Sequence, residues 1–289
     1  MKKIVSIQGI RGAFHQEAAE RYFGSTIEIN ECITFRQLVE SVEMGEAHYG
    51  IMAIENSLVG SILPNYALIR ESSLQITGEI YIGIVQNLIA HHGESIDSIS
   101  EVRSHPMALA QCADFFLKHP SIRLVECEDT ALCAKQIAEL KLRGVATVAS
   151  ENAAREYGLD VIAPSIESNK ENYTRFLILE KKSLPTIQSG ANKASITFTA
   201  KHKPGSLLHI LKPFADNGIN MTMLQSLPIV GSKWEYVFHA DLVFDSILKF
   251  QAVLEIAKEH TSSLKILGLY RSHEMQVQHE PAENLVHYC

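Results

Sequence analysis

The sequence predicts an α/β protein with two lobes in its first domain, followed by a smaller α+β domain of ferredoxin-like βαββαβ order. Apolar strand-like runs alternate with helix-like runs up to about residue 165, which is typical of a largely parallel sheet covered by helices on both faces. A polar segment with Pro and Gly follows at 183–193, and beyond it the pattern restarts as β-α-β-β-α-β. With 289 residues, of which 46% are hydrophobic, the chain is long enough for two such domains.

The first domain, predicted over 1–182, takes its strands from short apolar runs and its helices from the segments between them. The strands are predicted over 4–8, 27–29, 50–54, 76–90, 122–125, 145–149 and 161–163. The helices are predicted over 13–23, 35–44, 65–71, 106–118, 130–140 and 151–157. Thr34 and Asp129 are suited to cap two helix starts, and Gly158 is suited to end the last helix.

The run 74–91 is unusually long for a single strand, which indicates that it carries the chain from one lobe to the other. The strand that begins at Thr174 is then predicted to return to the first lobe. Lobe 1 is expected over about 1–78 and 165–182, and lobe 2 over about 79–164. Two crossings of this kind place a cleft between the lobes, where ligand sites are common.

The second domain is predicted over 194–272, after the linker at 183–193. Its strands are predicted over 194–200, 219–228, 234–244 and 264–270, and its helices over 205–217 and 247–260. The tail 273–289 is polar, and we expect it to be loosely ordered.

Composition excludes several classes of protein. The net charge of −7, without a block of like charges, argues against nucleic acid as a partner. Five cysteines without a C-x-x-C pair indicate free thiols in a reducing compartment. The apolar stretch at the N-terminus is too short for a signal peptide and no run is long enough to span a membrane, so we expect a cytoplasmic protein. The histidines lack ligand spacing, and no metal site is predicted.

The run 172–176 places a hydroxyl and a guanidinium next to each other at the start of an apolar strand. Neighbouring side chains in a strand point to opposite faces, so Thr174 and Phe176 are expected on one face and Arg175 on the other. An Arg at a strand mouth can bind a carboxylate, and a Thr hydroxyl can donate or accept a proton. An edge-strand Arg paired with a surface acid is the alternative interpretation.

Polar loops are expected at strand ends, where open α/β sheets bind ligands. In the first loop, Gly9 and Gly12 can bring backbone N–H groups close to an anion at a helix start, although their spacing is not that of a dinucleotide site. In the second, Glu55, Asn56 and Ser57 offer several hydrogen-bonding groups within three residues. An ordinary turn is the alternative for the first loop, and helix capping for the second.

The third loop places Ser104 and His105 before Pro106, a residue suited to the first position of a helix. Both side chains would lie at the positive end of the helix dipole, where they can hold a carboxylate. Gln111 then shares a helix face with Met107. A capping Ser and a half-exposed His are the alternative, and no acidic partner for a Ser-His triad is evident.

These motifs, in this order, resemble those of the prephenate dehydratase family across essentially residues 1–180. The resemblance is carried by Gly9-x-x-Gly12 with Phe14, Ile54-Glu55-Asn56-Ser57 with Gly60, Ser104-His105-Pro106 with Gln111-Cys112, Asp129-Thr130, Ala153-Ala154-x-x-Tyr157-Gly158-Leu159 and Asn172-x-Thr174-Arg175-Phe176. The rest of the chain is similar to the ACT regulatory domain of that family, through Pro204-Gly205-Ser206-Leu207, Gly218-Ile219-Asn220 and Trp234-x-Tyr236-Val237-Phe238.

The resemblance implies a two-lobed catalytic domain similar to a periplasmic binding protein. It also implies a reaction in which prephenate loses carbon dioxide and water to give phenylpyruvate, with no metal or organic cofactor. Thr174 is implied to assist departure of the hydroxyl, with His105 or a protonated Glu55 as the competing acid, and Arg175 is implied to hold a carboxylate. The other implied substrate-site positions are Asn56, Ser57, Ser104, Gln111, Phe176 and Gly12.

For the second domain, the resemblance implies feedback binding of phenylalanine at an interface between ACT domains. The protein would then be a homodimer or homotetramer assembled through its ACT and catalytic domains. The implied effector positions are Pro204, Gly205, Ser206, Leu207, Asn220, Gln225 and Ser226. The Glu and Arg of the family's effector motif are replaced here by Gln225 and Leu227. Arogenate dehydratase, the same chemistry on a substrate with an amine, and a non-catalytic amino-acid sensor are the alternative functions.

Overall fold

The computed structural model describes residues 2–182, 190–201, 203–229, 231 and 235–273. The chain divides into two compact units: unit 1 holds residues 1–62 and 80–176, and unit 2 holds residues 63–79 and the chain from Leu177 onward. Much of the predicted linker, Trp234 and nearly all of the predicted tail lie outside the described residues.

The strands form where β-branched and other apolar residues run between turn residues. They are β1 (Ile4–Gln8), β2 (Glu28–Cys32), β3 (Tyr49–Asn56), β4 (Gly60–Ser61), β5 (Leu74–Gly83), β6 (Asn87–Ala90), β7 (Glu101–Ser104), β8 (Arg123–Glu126), β9 (Val145–Ala149), β10 (Asp160–Ala163), β11 (Tyr173–Lys181), β12 (Lys193–Ala200), β13 (Asn220–Pro228), β14 (Tyr236–Val243) and β15 (Thr261–Tyr270). The helices are α1 (Phe14–Phe23), α2 (Phe35–Met44), α3 (Leu63–Glu71), α4 (Pro106–Gln111), α5 (Ala113–Leu117), α6 (Thr130–Glu139), α7 (Glu151–Tyr157), α8 (Ser206–Asp216) and α9 (Ile247–Glu259).

In the first sheet of unit 1, β1 lies between β2 and β3 and pairs in parallel with both. Helix α2 begins with a capping box formed by Thr34 and Gln37, in agreement with Thr34 as the predicted N-cap. Its fully buried Leu38 and Val42 pack against the sheet at Gly50, where a Cβ would lie 2.7 Å from a Leu38 methyl group. A glycine in β3 therefore sets how closely α2 approaches the sheet.

The second sheet of unit 1 has the strand order β10-β6-β9-β7-β8. Strand β7 is parallel to β8 and β9, whereas β6 is antiparallel to β9 and β10. The prediction of a largely parallel sheet is therefore correct for one side of this sheet and wrong for the other. The physical reason is that β6 enters the sheet directly from an extended crossing, without the helical connection that imposes parallel pairing.

Two predicted elements differ from the observed ones, and one observed strand was not predicted. The predicted strand 76–90 is two strands, β5 and β6, with residues 84–86 between them. The predicted helix 106–118 is interrupted at Cys112, whose φ of −108° and ψ of 18° separate α4 from α5. Strand β7 was not predicted, because Glu101 and Arg103 break its apolar run.

Within unit 2, the chain from Lys193 to Tyr270 has the predicted βαββαβ order, β12-α8-β13-β14-α9-β15. Its four strands lie in the order β13-β14-β12-β15 with antiparallel pairing. Strand β5 pairs in parallel with β15 at Gly268, where a Cβ would lie only 2.2 Å from the carbonyl oxygen of Ile76. The fold class predicted from the sequence, α/β followed by a ferredoxin-like unit, is confirmed.

Within the residues that the structure describes, no helix is both long and apolar enough to cross a membrane.

Candidate active site

A cavity of about 340 Å³ opens in unit 1, where strands of both of its sheets end. Its apolar lining consists of Ala13, Phe14, Phe35, Ala53, Val59, Ile62, Ile84, Met107, Ala108 and Phe176. Its polar lining consists of Gln8, His15, Asn56, Gln86, His105, Gln111, Asp129, Thr130 and Thr174. The volume and the mainly apolar wall with a few convergent polar groups are those of a small-molecule site.

The hydroxyl of Thr174 has a fixed neighbour in this cavity. The side-chain Nδ2 of Asn56 donates a hydrogen bond to the Oγ1 of Thr174 at 3.0 Å. Thr174 itself is only 8% exposed. Because the oxygen already accepts from Asn56, the hydroxyl proton is left to be donated to a group bound in the cavity.

The amide of Asn56 is held in the orientation that this contact needs. Its Oδ1 accepts from the backbone N–H groups of Leu58 and Val59, both at 3.0 Å. Its Nδ2 also donates to the Oδ1 of Asn172 at 2.7 Å. A rotated amide would face two N–H donors with its own NH₂ group, so the nitrogen of Asn56 is directed to Thr174.

His105 is the N-cap of α4, immediately before Pro106, and it lines the cavity. Its Nδ1 accepts from the backbone N–H of Met107 at 3.2 Å. A ring nitrogen that accepts a hydrogen bond carries no proton, so the neutral imidazole has its proton on Nε2.

The structure does not bring Arg175 and Glu55 into the lining of the cavity. As the alternation along β11 predicts, Arg175 lies on the face opposite to Thr174 and Phe176, and it is 3% exposed. Its Nη1 lies 3.9 Å from the Oε2 of Glu55. The guanidinium of Arg175 is therefore close to a carboxylate of the protein, and the roles expected for Arg175 and Glu55 stay predictions.

The hydroxyls of Ser104 and Ser57 are occupied by backbone groups. Ser104 is fully buried, and its Oγ donates to the carbonyl of Val148 at 2.7 Å, across the β7–β9 pair. The Oγ of Ser57 donates to the carbonyl of Glu171 and accepts from the N–H of Tyr173, each at 2.9 Å. Both serines tie elements together at the edge of the cavity, which they do not line.

Gly12, a predicted substrate contact, lies against α7 instead. Its φ is +87°, and a Cβ at this position would lie 2.9 Å from the Cα of Ala153. Its carbonyl accepts from the Oγ of Ser150, the N-cap of α7, at 2.7 Å. Gly12 therefore allows the loop that follows β1 to pack closely against the second sheet's helix, on one side of the cavity.

Sequence reasoning missed His15 and Gln86 among the polar residues that line the cavity. The rings of Phe35 and Phe176 pack around His15, at centroid distances of 5.6 and 5.0 Å. Burial lowers the pKa of His15 to about 4, so the imidazole is neutral near pH 7. Gln86 lies in the predicted continuous strand 76–90, and in the structure it falls in the break between β5 and β6.

The charge of the cavity is low. Among the described residues that line it, Asp129 is the only carboxylate and neither Lys nor Arg is present. The Oδ1 of Asp129 caps α6 by accepting from the N–H of Leu132 at 2.8 Å, as the sequence predicts. Amides, imidazoles and hydroxyls therefore make up the remaining polar surface. In the described part of the chain no cluster of three His, Cys, Asp or Glu is arranged to hold a metal ion.

Unit 2 contains a separate cavity of about 370 Å³ near the start of α8. It is lined by Ala200, Lys201, Lys203, Pro204, Ser206, Leu207, Tyr236 and Phe238. Gly205, with a φ of +81°, is the N-cap of α8 beside this cavity. The other expected effector positions, Asn220, Gln225 and Ser226, lie on β13 and are not part of its lining.

A profile of the prephenate dehydratase family matches residues 5–184 of the chain. The bifunctional chorismate mutase/prephenate dehydratase of Aquifex aeolicus is 37% identical over 273 residues, which cover 93% of this chain and 74% of that protein. An arogenate dehydratase/prephenate dehydratase of Arabidopsis thaliana is 36% identical over 278 residues, which cover 92% of this chain and 72% of that protein.

Two solved structures are similar to this chain in fold. The prephenate dehydratase of Arthrobacter aurescens, solved in complex with L-Phe, is 25% identical with a TM-score of 0.82, over 93% of this chain and 89% of that chain. GqqA, described as a novel type of quorum quenching acylase, is 27% identical with a TM-score of 0.87, over 95% of this chain and 100% of that chain.

Proposed function

The chain belongs to the prephenate dehydratase family, and we propose that the cavity of unit 1 is the active site in which prephenate is converted to phenylpyruvate. Two bonds break in this reaction. The bond from the ring to its carboxylate releases CO₂ and leaves its electron pair in the ring, and the bond from the ring to the hydroxyl oxygen breaks as the ring becomes aromatic. The departing oxygen takes up a proton and leaves as water.

The hydrogen bond from Asn56 to Thr174 is the observation that carries this proposal. The departing hydroxyl develops negative charge, and a donor aimed at it lowers the barrier. Because the Asn56 amide occupies the Thr174 oxygen, the Thr174 proton is directed to the substrate. The same N–H donor stabilises the threonine oxygen as its proton moves toward the leaving group.

His105 is proposed as the second donor. Because its Nδ1 accepts from the N–H of Met107, the Nε2–H of the neutral ring is available to donate to the substrate. A neutral imidazole at this position can hydrogen-bond a carboxylate or keto oxygen of the substrate, or supply the proton of the leaving water. Phe176 and the other apolar residues of the lining suit the cyclohexadiene ring.

The test is phenylpyruvate formation from prephenate near neutral pH, with a blank that contains no enzyme. Replacing His105 with Asn keeps a polar side chain suited to the N-cap and removes the imidazole. We expect a loss of about 100-fold in kcat/KM if His105 contributes as a proton donor. An unchanged rate would remove His105 from the mechanism and leave Thr174 as the donor.

Arogenate is the second candidate substrate, and one observation favours it. Asp129 places a carboxylate in a cavity whose described lining contains no cationic side chain. A carboxylate attracts the ammonium group of arogenate and repels the dianion prephenate. A side-by-side measurement of kcat/KM for both substrates decides between them. If Asp129 binds the ammonium group of arogenate, Asp129→Asn should lower kcat/KM for arogenate more than for prephenate.

Acyl transfer, the activity in the description of GqqA, receives less support from the geometry. A hydroxyl nucleophile needs a base within hydrogen-bond distance. The oxygen of Thr174 instead accepts from an amide N–H, and the hydroxyl of Ser104 is bound to a backbone carbonyl.

We propose that residues 194–272, within unit 2, form an ACT domain that binds L-Phe as a feedback effector in a homodimer or homotetramer. The cavity beside Gly205 supports this proposal because Lys201 and Lys203 can attract a carboxylate and Leu207 offers an apolar surface. Calorimetry with L-Phe should detect binding, which Leu207→Ser weakens. The adjacent Leu208, which is 63% exposed and outside the lining, provides the control Leu208→Ser. The absence of heat at millimolar L-Phe would contradict an effector site.

A cytoplasmic location is proposed from the free cysteines.

A further inference from the structure

We infer that Gln86 is a positioning residue, which orients the side-chain amide of Gln111 toward the substrate. This inference rests on the proposed function, because it concerns the same cavity. The Nε2 of Gln86 donates a hydrogen bond to the Oε1 of Gln111 at 3.0 Å. Both side chains line the cavity, and Gln86 is 3% exposed.

The backbone of Gln86 is fixed by the segment that returns from the second sheet to β11. Its N–H donates to the Oε2 of Glu167 at 2.8 Å, and its carbonyl accepts from the N–H of Ile166 at 2.7 Å. Glu167 is itself 4% exposed and accepts from the Nζ of Lys170 at 2.9 Å. A buried carboxylate with these partners holds the backbone of Gln86 in one place, while the Oε1 of its side chain is buried without a hydrogen-bond partner among the described residues.

The same segment also holds the helix that carries Gln111. The N–H of Ser168 donates to the carbonyl of Gln111 at 2.8 Å. Residues 166–168 therefore fix the backbones of both glutamines, although the two are 25 residues apart in the sequence. The distance between the two side chains is consequently set by main-chain contacts.

In the observed hydrogen bond, Gln86 is the donor and engages one end of the Gln111 amide. Its Oε1 is engaged by Gln86, and within the described residues its Nε2 has no hydrogen-bond partner. The NH₂ group is thus left to donate to a carboxylate or keto oxygen of the substrate. In a cavity whose described lining lacks Lys and Arg, such neutral donors are what attract an anion, so a reversed amide would present a repelling oxygen.

A double-mutant cycle in the prephenate assay tests the inference. Gln86→Leu keeps the size of the side chain and removes the donor. We expect KM to rise on the order of 10-fold with kcat changed less, since Gln111 contributes to binding. In a Gln111→Leu background, Gln86→Leu should have no further effect, because its target is gone. An equal loss in both backgrounds, or no loss in either, overturns the inference.

A second variant gives a signature that a merely structural role does not produce. In Gln86→Glu the introduced carboxyl can donate to Gln111 only when it is protonated. Its kcat/KM should therefore fall as the pH rises through its titration, in excess of any change in the wild type. Gln86→Leu should lack this extra dependence. A Gln86→Glu profile parallel to that of the wild type contradicts the inference.

Controls separate the possible failures. Gln37→Leu removes a glutamine whose Oε1 caps α2 outside the cavity, and it should leave KM unchanged. If the wild type does not turn over prephenate, the proposed function fails. The double-mutant cycle is then measured as the affinity for prephenate in calorimetry. We expect Gln86→Leu to weaken binding only when Gln111 is present. A loss of affinity in the Gln111→Leu background would contradict the inference.

Discussion

Replacing Thr174 with Val removes the proposed proton donor and keeps the shape of the side chain. The fold should tolerate this change, because the Nδ2 of Asn56 still has the Oδ1 of Asn172 at 2.7 Å and the carbonyl of Tyr173 at 3.2 Å. The Nδ2 of Asn56 thus keeps two acceptors after the change, so the free energy of unfolding should change by no more than about 1 kcal/mol. A loss of activity in this variant is therefore attributable to the missing hydroxyl.

The expected loss is large in kcat and small in KM. Removing one donor aimed at a developing negative charge costs about 100- to 1000-fold in kcat in comparable sites. Substrate binding should change little, because the departing hydroxyl is neutral in the ground state and becomes charged only in the transition state. Thr174→Ser, which retains the hydroxyl, should keep kcat within about 10-fold of the wild type.

The assay measures phenylpyruvate formation over a range of prephenate concentrations for the wild type and both variants. Thermal unfolding of the three proteins provides the control for stability. The reasoning is refuted if Thr174→Val has a kcat within about threefold of the wild type. It is also refuted if the variant raises KM 100-fold at an unchanged kcat, since Thr174 would then act in binding alone.

Three further predictions concern stability. Gly12→Ala should destabilise the protein by about 1–3 kcal/mol more than Gly24→Ala in chemical unfolding, since both glycines have a similar positive φ but only at Gly12 would a Cβ meet the backbone of α7; equal losses would mean that the steric contact is unimportant. Lys193→Met should cost about 3–5 kcal/mol, because it leaves the buried carboxylate of Glu79 without the ammonium that lies 2.9 Å away, and the double replacement with Glu79→Leu should recover most of that loss. Burial lowers the pKa of His239 to about 4 from an ordinary value near 6.5, so the folded state binds fewer protons than the unfolded state in that window; stability should fall as pH is lowered from about 6.5 to 4, and His239→Leu should flatten this dependence.

The sequence predicts those features of the site that follow from local rules. Alternation along β11 places Thr174 and Phe176 on the cavity side and Arg175 on the other face. Pro106 marks the start of α4 and so places His105 as its N-cap. Each of these predictions depends on a few neighbouring residues, so it can be made without knowledge of the tertiary fold.

The features that sequence reasoning missed depend on contacts between distant residues. The partner of Gln86 is 25 residues away, and the partner of the Ser104 hydroxyl is 44 residues away. Gly12 was interpreted as a substrate contact because a glycine near a helix start suits an anion, yet its freedom is used to approach Ala153. Local patterns identify residues that can do chemistry, but the direction of each side chain is set by the partner that competes for it.

For the reaction proposed in this cavity, the position of Arg175 outside the lining has a chemical consequence for decarboxylation. The ring carboxylate carries a negative charge before CO₂ leaves, and it loses this charge as the bond breaks. A guanidinium bound to the carboxylate would therefore stabilise the substrate more than the transition state. Such a contact would bind prephenate tightly and raise the barrier. In this structure the guanidinium of Arg175 lies 3.9 Å from the carboxylate of Glu55, and the described lining of the cavity presents neutral donors beside apolar rings. Neutral donors hold a carboxylate more weakly, so less of the binding energy is lost when the ring carboxylate departs as CO₂.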